Sequence, residues 1–445
     1  MSKFSSTSAA TAALALALFA PLGFTAEPAR PDQAPPRQDE RPRGDRPPRG
    51  DKPGKQAYTL EQACSDRAQL HTISFSGLAF LTGDFGASTF IPPGKVCDYF
   101  GFQYLRDIDA TGKGHNPMFL DRVVGNVLTI LDAAQQQQFL DLAKEQGPQL
   151  EELARMRLPV VAAFHGQADG KVPPGSAGLN EAAVTAAVGA IFRRDAELSL
   201  RRAEVIAAVA RSLTPAQRET LGKMKFGDFT TWPAKDVREV MKAKTRGLPH
   251  MVTVSFMTYA SEFFSWTAGS LEADTYFCPE RHATYFGGFY MKDMPAMGKR
   301  DFDISTTVTG ESGRILVEEL LDPGQRSQVT SLVDRQRPAL AEIVTLRRSI
   351  ATSLRTLLEG KVPDREKLLA LGQRYGELDG VCSYRMAMAF ATIKAGLTAD
   401  QKVKLMKLRN LDGYTSAPYY IYSRAEKTPI QIDGATAALF AAPQK

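Results

Sequence analysis

The stretch Leu213-Thr214-Pro215-Ala216-Gln217 decides the fold of this chain, because its pattern occurs four times. The other copies are Leu131-Asp132-Ala133-Ala134-Gln135, Leu321-Asp322-Pro323-Gly324-Gln325 and Leu397-Thr398-Ala399-Asp400-Gln401. Each copy places Thr or Asp three residues before Gln, which is the spacing of a helix capping box. The first side chain accepts from the N3 amide, and the Gln reaches back to the N–H of the cap residue. The pattern therefore predicts four helix starts, capped by Asp132 and Gln135, Thr214 and Gln217, Asp322 and Gln325, and Thr398 and Gln401.

The four stretches form two pairs, and the sequence around them repeats in the same order. Gly170-Lys171-Val172-Pro173 returns as Gly360-Lys361-Val362-Pro363. Further matched pairs are Ser74-Phe75 with Ser255-Phe256, Arg157 with Arg347, Asp195 with Asp379 and Arg201 with Arg385. A fixed order of matches predicts a tandem duplication. Few segments alternate as strands do, so the sequence predicts an all-α fold with two homologous helical domains, 57–236 and 237–425, and a tail, 426–445.

The N-terminal segment has the composition of an export signal. Residues 1–26 contain Lys3 and a short apolar, Ala-rich run, which predicts a signal peptide. Residues 27–56 are rich in Pro, Arg and Asp and are predicted to form a disordered linker. No later stretch has the sequence of a transmembrane helix, so we expect a periplasmic or secreted protein. The balance of 55 basic and 49 acidic residues predicts no nucleic-acid partner.

Four cysteines in an exported chain predict two disulfides. Pairing Cys64 with Cys97 and Cys278 with Cys382 keeps each bridge within one half, although four cysteines allow three pairings. Cys278 and His282 also have a spacing that suits two metal ligands, but two ligands do not make a site. The sequence predicts a disulfide for Cys278 and no cofactor, and it leaves a metal or haem open.

The Tyr-Phe-Gly segments are the first candidates for a binding surface. One begins at Tyr99 and its counterpart begins at Tyr285, and each is followed by a second tyrosine and an aspartate. The candidate ligand- or partner-binding residues are Tyr99, Tyr104, Asp107, Tyr285, Tyr290 and Asp293. The alternative is a structural corner in which the tyrosine hydroxyls cap helix ends.

A second candidate is the aromatic segment that begins at Ser255. At helical spacing, Phe256, Tyr259, Phe263 and Trp266 share one broad face. The pattern is typical of a buried helix, and the alternative is a wall for an apolar ligand or client. In that alternative Phe263 and Trp266 are binding residues.

No catalytic motif stands out in the chain. A Gly-x-Ser-x-Gly elbow, a phosphate-binding Gly-Lys-Ser/Thr loop and a His-Glu-x-x-His pair are all missing from the sequence. The sequence therefore favours a binding protein over an enzyme.

The Leu-Thr-x-x-Gln pattern at a helix start resembles the Spy/CpxP-type periplasmic stress proteins. Leu213-Thr214 with Gln217 and Leu397-Thr398 with Gln401 match that pattern, and the other two copies have Asp for Thr. The resemblance implies a helical cradle that handles non-native proteins, and the duplication would mimic the family's dimer in one monomeric chain. The chain departs from the family in the wider spacing of its motifs, its Tyr-Phe-Gly segments, its aromatic helix and its cysteines.

Two functions follow as expectations. The first is an exported envelope protein that binds non-native proteins or envelope partners through paired helical domains. The second is a ligand- or metal-dependent redox or binding enzyme centred on the Tyr-Phe-Gly segments.

Overall fold

Helices make up almost all of the regular structure that the computed structural model of the protein describes. The described residues are 118–224, 229–233, 237–264, 266–267, 315–409 and 432–442, together with 66, 69, 70, 73, 74, 77, 80 and 81. Among them the only β-pairing is one isolated bridge between Leu179 and Phe440, so the predicted all-α class is confirmed. These residues belong to one compact unit, Gly54–Lys445, whereas the unit Met1–Pro53 lies outside the described part.

Eleven α-helices follow one another in the described ranges. The first seven are α1 (Met118–Ile130), α2 (Ala133–Met156), α3 (Leu158–Ala168), α4 (Glu181–Ser212), α5 (Pro215–Lys223), α6 (Arg238–Thr245) and α7 (His250–Phe264). A π-helical turn, Leu316–Leu320, then precedes α8 (Pro323–Arg355), a 3-10 turn (Thr356–Glu359), α9 (Arg365–Ala395), α10 (Ala399–Arg409) and α11 (Gly434–Ala437). A further 3-10 turn, Phe229–Thr231, lies between α5 and α6.

All four predicted capping boxes are present. The Thr214 hydroxyl accepts from the Gln217 N–H at 3.2 Å, and the Gln217 Oε1 accepts from the Thr214 N–H at 2.9 Å. The same reciprocal bonds join Asp132 to Gln135, Asp322 to Gln325 and Thr398 to Gln401. The predicted starts of α2, α5, α8 and α10 are therefore confirmed.

The most extensive helix–helix contact among the described residues is between α4 and α9, which pack antiparallel. A Cβ added at Gly376 would lie 2.5 Å from the Phe192 Cβ and 2.6 Å from the Val188 carbonyl oxygen. A Cβ added at Gly372 would lie 2.5 Å from the Ala196 Cβ. Glycines one turn apart thus let the two helices approach more closely than any larger residue would allow. Helix α2 flanks α4, and α8 flanks α9.

Helical elements of each predicted half also contact the other half. Helix α7, from the second half, packs on α1 and α2, where Phe263 and Phe139 have ring centroids 5.6 Å apart. Phe80, from the first half, lies 6.3 Å from Phe390 of α9. Residues 237–264 therefore complete the core of the first half, while the boundary at 236 stays a prediction about the sequence repeat.

The described part of the C-terminal segment pairs with the loop before α4. The Ala441 N–H donates to the Gly178 carbonyl and the Asn180 N–H donates to the Leu439 carbonyl, both at 2.8 Å. Gly178 has a φ of 117°, a region that favours glycine. These bonds place Phe440 in the core beside Gly166.

None of the helices in the described ranges is both long enough and apolar enough to cross a bilayer.

Candidate functional site

The two capping boxes of the first half meet through their glutamines. The Gln217 Nε2 donates to the Gln135 Oε1 at 2.8 Å and to the Ile130 carbonyl at 2.9 Å. The Gln135 Nε2 donates to the Ser212 hydroxyl at 3.1 Å. Because Ile130 and Ser212 end α1 and α4, each glutamine caps the start of one helix and binds the end of another. We call this pair of residues, Gln135 and Gln217, the first glutamine clasp.

A second glutamine clasp, formed by Gln325 and Gln401, has the same arrangement. The Gln401 Nε2 donates to the Gln325 Oε1 at 2.8 Å and to the Leu320 carbonyl at 2.9 Å. The Gln325 Nε2 donates to the Gly396 carbonyl at 3.4 Å. The repeated glutamines thus bind one another and nearby backbone, so their geometry is that of structural residues.

A buried charged network lies where α7 meets α4. The Arg202 guanidinium donates to the Glu262 Oε1 at 2.8 Å and to the Ser199 hydroxyl at 2.9 Å. The Asp195 Oδ1 lies 3.9 Å from the Arg202 Nη2. Asp195, Arg202 and Glu262 are at most 3% exposed. Burial removes water from these charges, and the desolvation penalty is roughly several kcal/mol per ion. Their mutual attraction has to offset this penalty.

Tyr259 adds a neutral branch to this network. Its hydroxyl donates to the Gln146 Oε1 at 2.7 Å, and the Gln146 Nε2 donates to the Leu198 carbonyl at 2.9 Å. The Arg202 guanidinium lies 5.8 Å from the centroid of the Tyr259 ring. Burial raises the pKa of Tyr259 well above its ordinary value, although the charge of Arg202 acts in the opposite direction. The hydroxyl therefore remains protonated near neutral pH and serves as a hydrogen-bond donor.

The predicted repeat has no ion pair at the positions that match Arg202 and Glu262. Counted from the aligned Asp195 and Asp379, Arg202 corresponds to Met386. Counted from the aligned Ser74 and Ser255, Glu262 corresponds to Leu81. Met386 and Leu81 are both buried, so the predicted repeat has apolar side chains at the two positions that match the ion pair. We therefore interpret this network as a structural contact between α4 and α7 and not as a functional site.

A groove of about 490 Å³ opens where the ends of four helices meet. Its apolar lining includes Leu213 before α5, Leu221 on α5, and Leu358 after α8. Trp266 and Thr267, which follow α7, form another wall, and the Trp266 side chain is fully buried. A volume of this size lies in the range of ligand pockets.

Three arginines line the same groove. Arg218 donates to the Arg211 carbonyl at 3.1 Å, and the Arg211 guanidinium donates to the Leu357 carbonyl. The Arg355 guanidinium lies 5.7 Å from the centroid of the Trp266 ring, within the range of a cation–π contact. The groove therefore combines positive charge with apolar walls.

The structure places two of the predicted binding residues in different surroundings. Phe263 is fully buried against Phe139, as expected for a buried helix face. Trp266 is also buried, and it belongs to the groove. The remaining candidates, Tyr99, Tyr104, Asp107, Tyr285, Tyr290 and Asp293, lie outside the described residues and stay predictions.

Cys382 is a buried free thiol in the structure, which does not support its predicted bridge to Cys278. Cys64, Cys97, Cys278 and His282 lie outside the described ranges, so the other pairing and the weak metal candidate remain untested. Within the described ranges, no group of three or more His, Cys, Asp or Glu side chains is placed to hold a metal ion.

Sequence reasoning missed the arginines of the groove. Arg355 is far in the chain from Arg211 and Arg218, and each arginine by itself has the sequence context of a solvated helix residue. A usable signal was present in the repeat, because the corresponding positions carry Ala395, Lys402 and His165. The positive charge is absent at Ala395, and such a difference between two matching positions indicates a local role for Arg211.

No protein-family model, curated protein or solved structure matches the chain. Function therefore has to be inferred from the geometry of the chain itself.

Proposed function

We propose that this chain is an exported, non-enzymatic envelope protein that binds non-native proteins or other envelope partners, as chaperone-like stress proteins do. The observation that carries the proposal is the groove of about 490 Å³ with arginines and leucines on its walls. Apolar walls favour segments that a folded partner would bury, and charge at the rim orients them. The N-terminal sequence supports export, and the two matched halves support an origin by tandem duplication.

The glutamine clasps limit which residues of this chain could bind a client in the way that the resemblance to Spy/CpxP-type proteins implies. In this chain the glutamine of each motif forms hydrogen bonds inside the fold, so the amide groups of the glutamines are engaged and do not point to a client. Among the described residues, the large apolar side chains exposed to solvent are Val362, Val403 and Met406, which do not include the groove residues. We place the binding surface at the groove because its lining combines arginine and leucine side chains around one opening.

The test is protection of an unfolded test protein. The purified chain is added in several-fold molar excess to a chemically unfolded protein that aggregates on dilution, and light scattering is followed. We expect slower aggregation, because transient binding keeps apolar segments from meeting each other. An equal mass of a helical protein of similar net charge is the control. Aggregation at the control rate at every excess would contradict the proposal.

The enzyme alternative rests on the Tyr-Phe-Gly segments, which lie outside the described residues. An absorption spectrum and a metal analysis of the same preparation test it. No described contact favours it over the binding function.

A further inference from the structure

We propose that the groove recognises an acidic–apolar peptide segment, in which carboxylates alternate with apolar side chains. This inference rests on the proposed binding function and names the chemistry of the bound segment. The site consists of Arg211, Arg218 and Arg355 with Leu213, Leu221 and Leu358.

The charges of Arg211 and Arg218 are not neutralised by carboxylates of the described residues. Across the described residues, no carboxylate lies within ion-pair distance of Arg211 or Arg218, and both side chains are at exposed positions. Glu219, the acid nearest in sequence, binds Lys223 at 2.6 Å. A negative charge bound beside these two arginines would relieve the repulsion between them.

The guanidinium groups of Arg211 and Arg218 are held in place and have further donors. A guanidinium carries five N–H donors. Arg211 and Arg218 each donate to one backbone carbonyl, which fixes their position. The remaining N–H groups suit a carboxylate, whose two oxygens match the fork of an arginine.

The lining favours a peptide over a lipid. Each arginine of the lining is within three residues of a leucine that also lines the groove, so charged and apolar side chains are mixed in it: Arg211 with Leu213, Arg218 with Leu221, and Arg355 with Leu358. A lipid has its anionic headgroup at one end and its apolar tail at the other. It therefore fits a site whose charged surface and apolar surface lie apart. A peptide with carboxylates between apolar side chains fits a mixed wall.

The predicted repeat does not keep the arginines in the second half. The repeat has Ala395 at the position of Arg211 and Lys402 at the position of Arg218. Lys402 is likewise exposed on α10. The arginine set is thus particular to this groove.

Gly222 controls the space beside Arg218 and Leu221. It lines the groove from α5, and a Cβ added there would meet no atom within 4 Å. The corresponding residue in the second half is Met406. Gly222→Met should therefore occupy the groove without disturbing α5, where Met is a better helix former than Gly.

The experiment measures binding of a labelled ten-residue peptide of alternating Glu and Leu to the full chain by fluorescence anisotropy. We expect saturable binding that weakens as salt is raised. Arg218→Glu should lower the affinity at least about ten-fold, the equivalent of about 1.4 kcal/mol. Lys402→Glu, the matched change in the other half, should leave it within about two-fold. Gly222→Met should also lower it at least about ten-fold, with the circular dichroism spectrum and the Tm retained.

The controls separate this inference from the proposed function. A peptide with Gln in place of Glu should bind at least about ten-fold more weakly, because it has no carboxylates to pair with the arginines. Equal binding of both peptides, or equal loss with Lys402→Glu, would overturn the inference. Binding of anionic vesicles that depends on Arg218, without binding of the acidic peptide, would overturn it too. If the Gly222→Met variant still protects the unfolded test protein, the groove is not the binding site. The proposed binding function would then hold, and this inference would be wrong.

Discussion

A glutamine side chain has both an acceptor and two donors, and this chain uses both ends of it. In the first clasp the Gln217 oxygen caps α5, while its Nε2 binds the Ile130 carbonyl and Gln135. A capping box alone needs only the oxygen, and Glu serves there as well as Gln. The choice of Gln therefore reflects the second contact.

The change Gln217→Glu separates these two roles. The carboxylate can still accept from the Thr214 N–H, but it loses both donated bonds and faces two oxygens. We expect a loss of about 2–3 kcal/mol in the free energy of unfolding, from two lost hydrogen bonds and the repulsion. Urea unfolding at neutral pH measures it. Gln138→Glu, at an exposed position of α2, is the control and should change stability by less than about 0.5 kcal/mol. Equal stability of the two variants would show that the clasp contributes nothing.

At the scale of the element, helix α7 joins the first half through the Arg202–Glu262 pair. A buried ion pair is a weak source of net stability, yet removing one partner is costly because it leaves a charge without its counterion. At the matching positions of the predicted repeat the chain has Met386 and Leu81, both of them buried and apolar. Asp379, which corresponds to Asp195, is buried there without an arginine at the Arg202 position.

The variants Arg202→Met and Glu262→Leu should therefore be strongly non-additive. Each single change should cost about 3–5 kcal/mol, whereas the double change should lie within about 1 kcal/mol of the parent chain. A double-mutant cycle by urea unfolding gives the coupling energy. Costs that simply add would mean that the two side chains act independently.

The helix starts could be predicted from the sequence, because capping is a local interaction within four residues. The pairing of Gln135 with Gln217 could not be predicted, since it depends on which helix ends become neighbours. The groove was missed for the same reason, because Arg211 and Arg355 meet only after α4 and α8 pack. The packing of α7 on α1 and α2 was also missed, because sequence similarity indicates which segments share an origin and not which segments are in contact.

At the scale of the whole molecule, the described helices form one unit whose two halves complete each other's cores. Helix α7 fills the space beside α1 and α2, and α4 packs along α9. A half that unfolds would expose buried aromatic residues of the other half, including Phe139. The free energies of unfolding of the two halves are therefore coupled.

We accordingly expect one cooperative unfolding transition. Differential scanning calorimetry should give a single peak with the calorimetric and van't Hoff enthalpies in agreement. Arg202→Met, although it lies in the first half, should shift that whole peak to lower temperature. Two separated peaks, with only one of them shifted by the variant, would establish two independent domains.

The contact between Phe192 and Gly376 has a consequence for how such a chain can change over time. The two residues occupy the same position of the predicted repeat, on α4 and α9. An α4 paired with a second copy of itself in this register would set Phe192 against Phe192, where the spacing admits no second side chain. An α9 paired with its own copy would set glycine against glycine and leave an empty space. Each half has thus become the specific complement of the other, and separating them into two self-associating proteins would require both positions to change together.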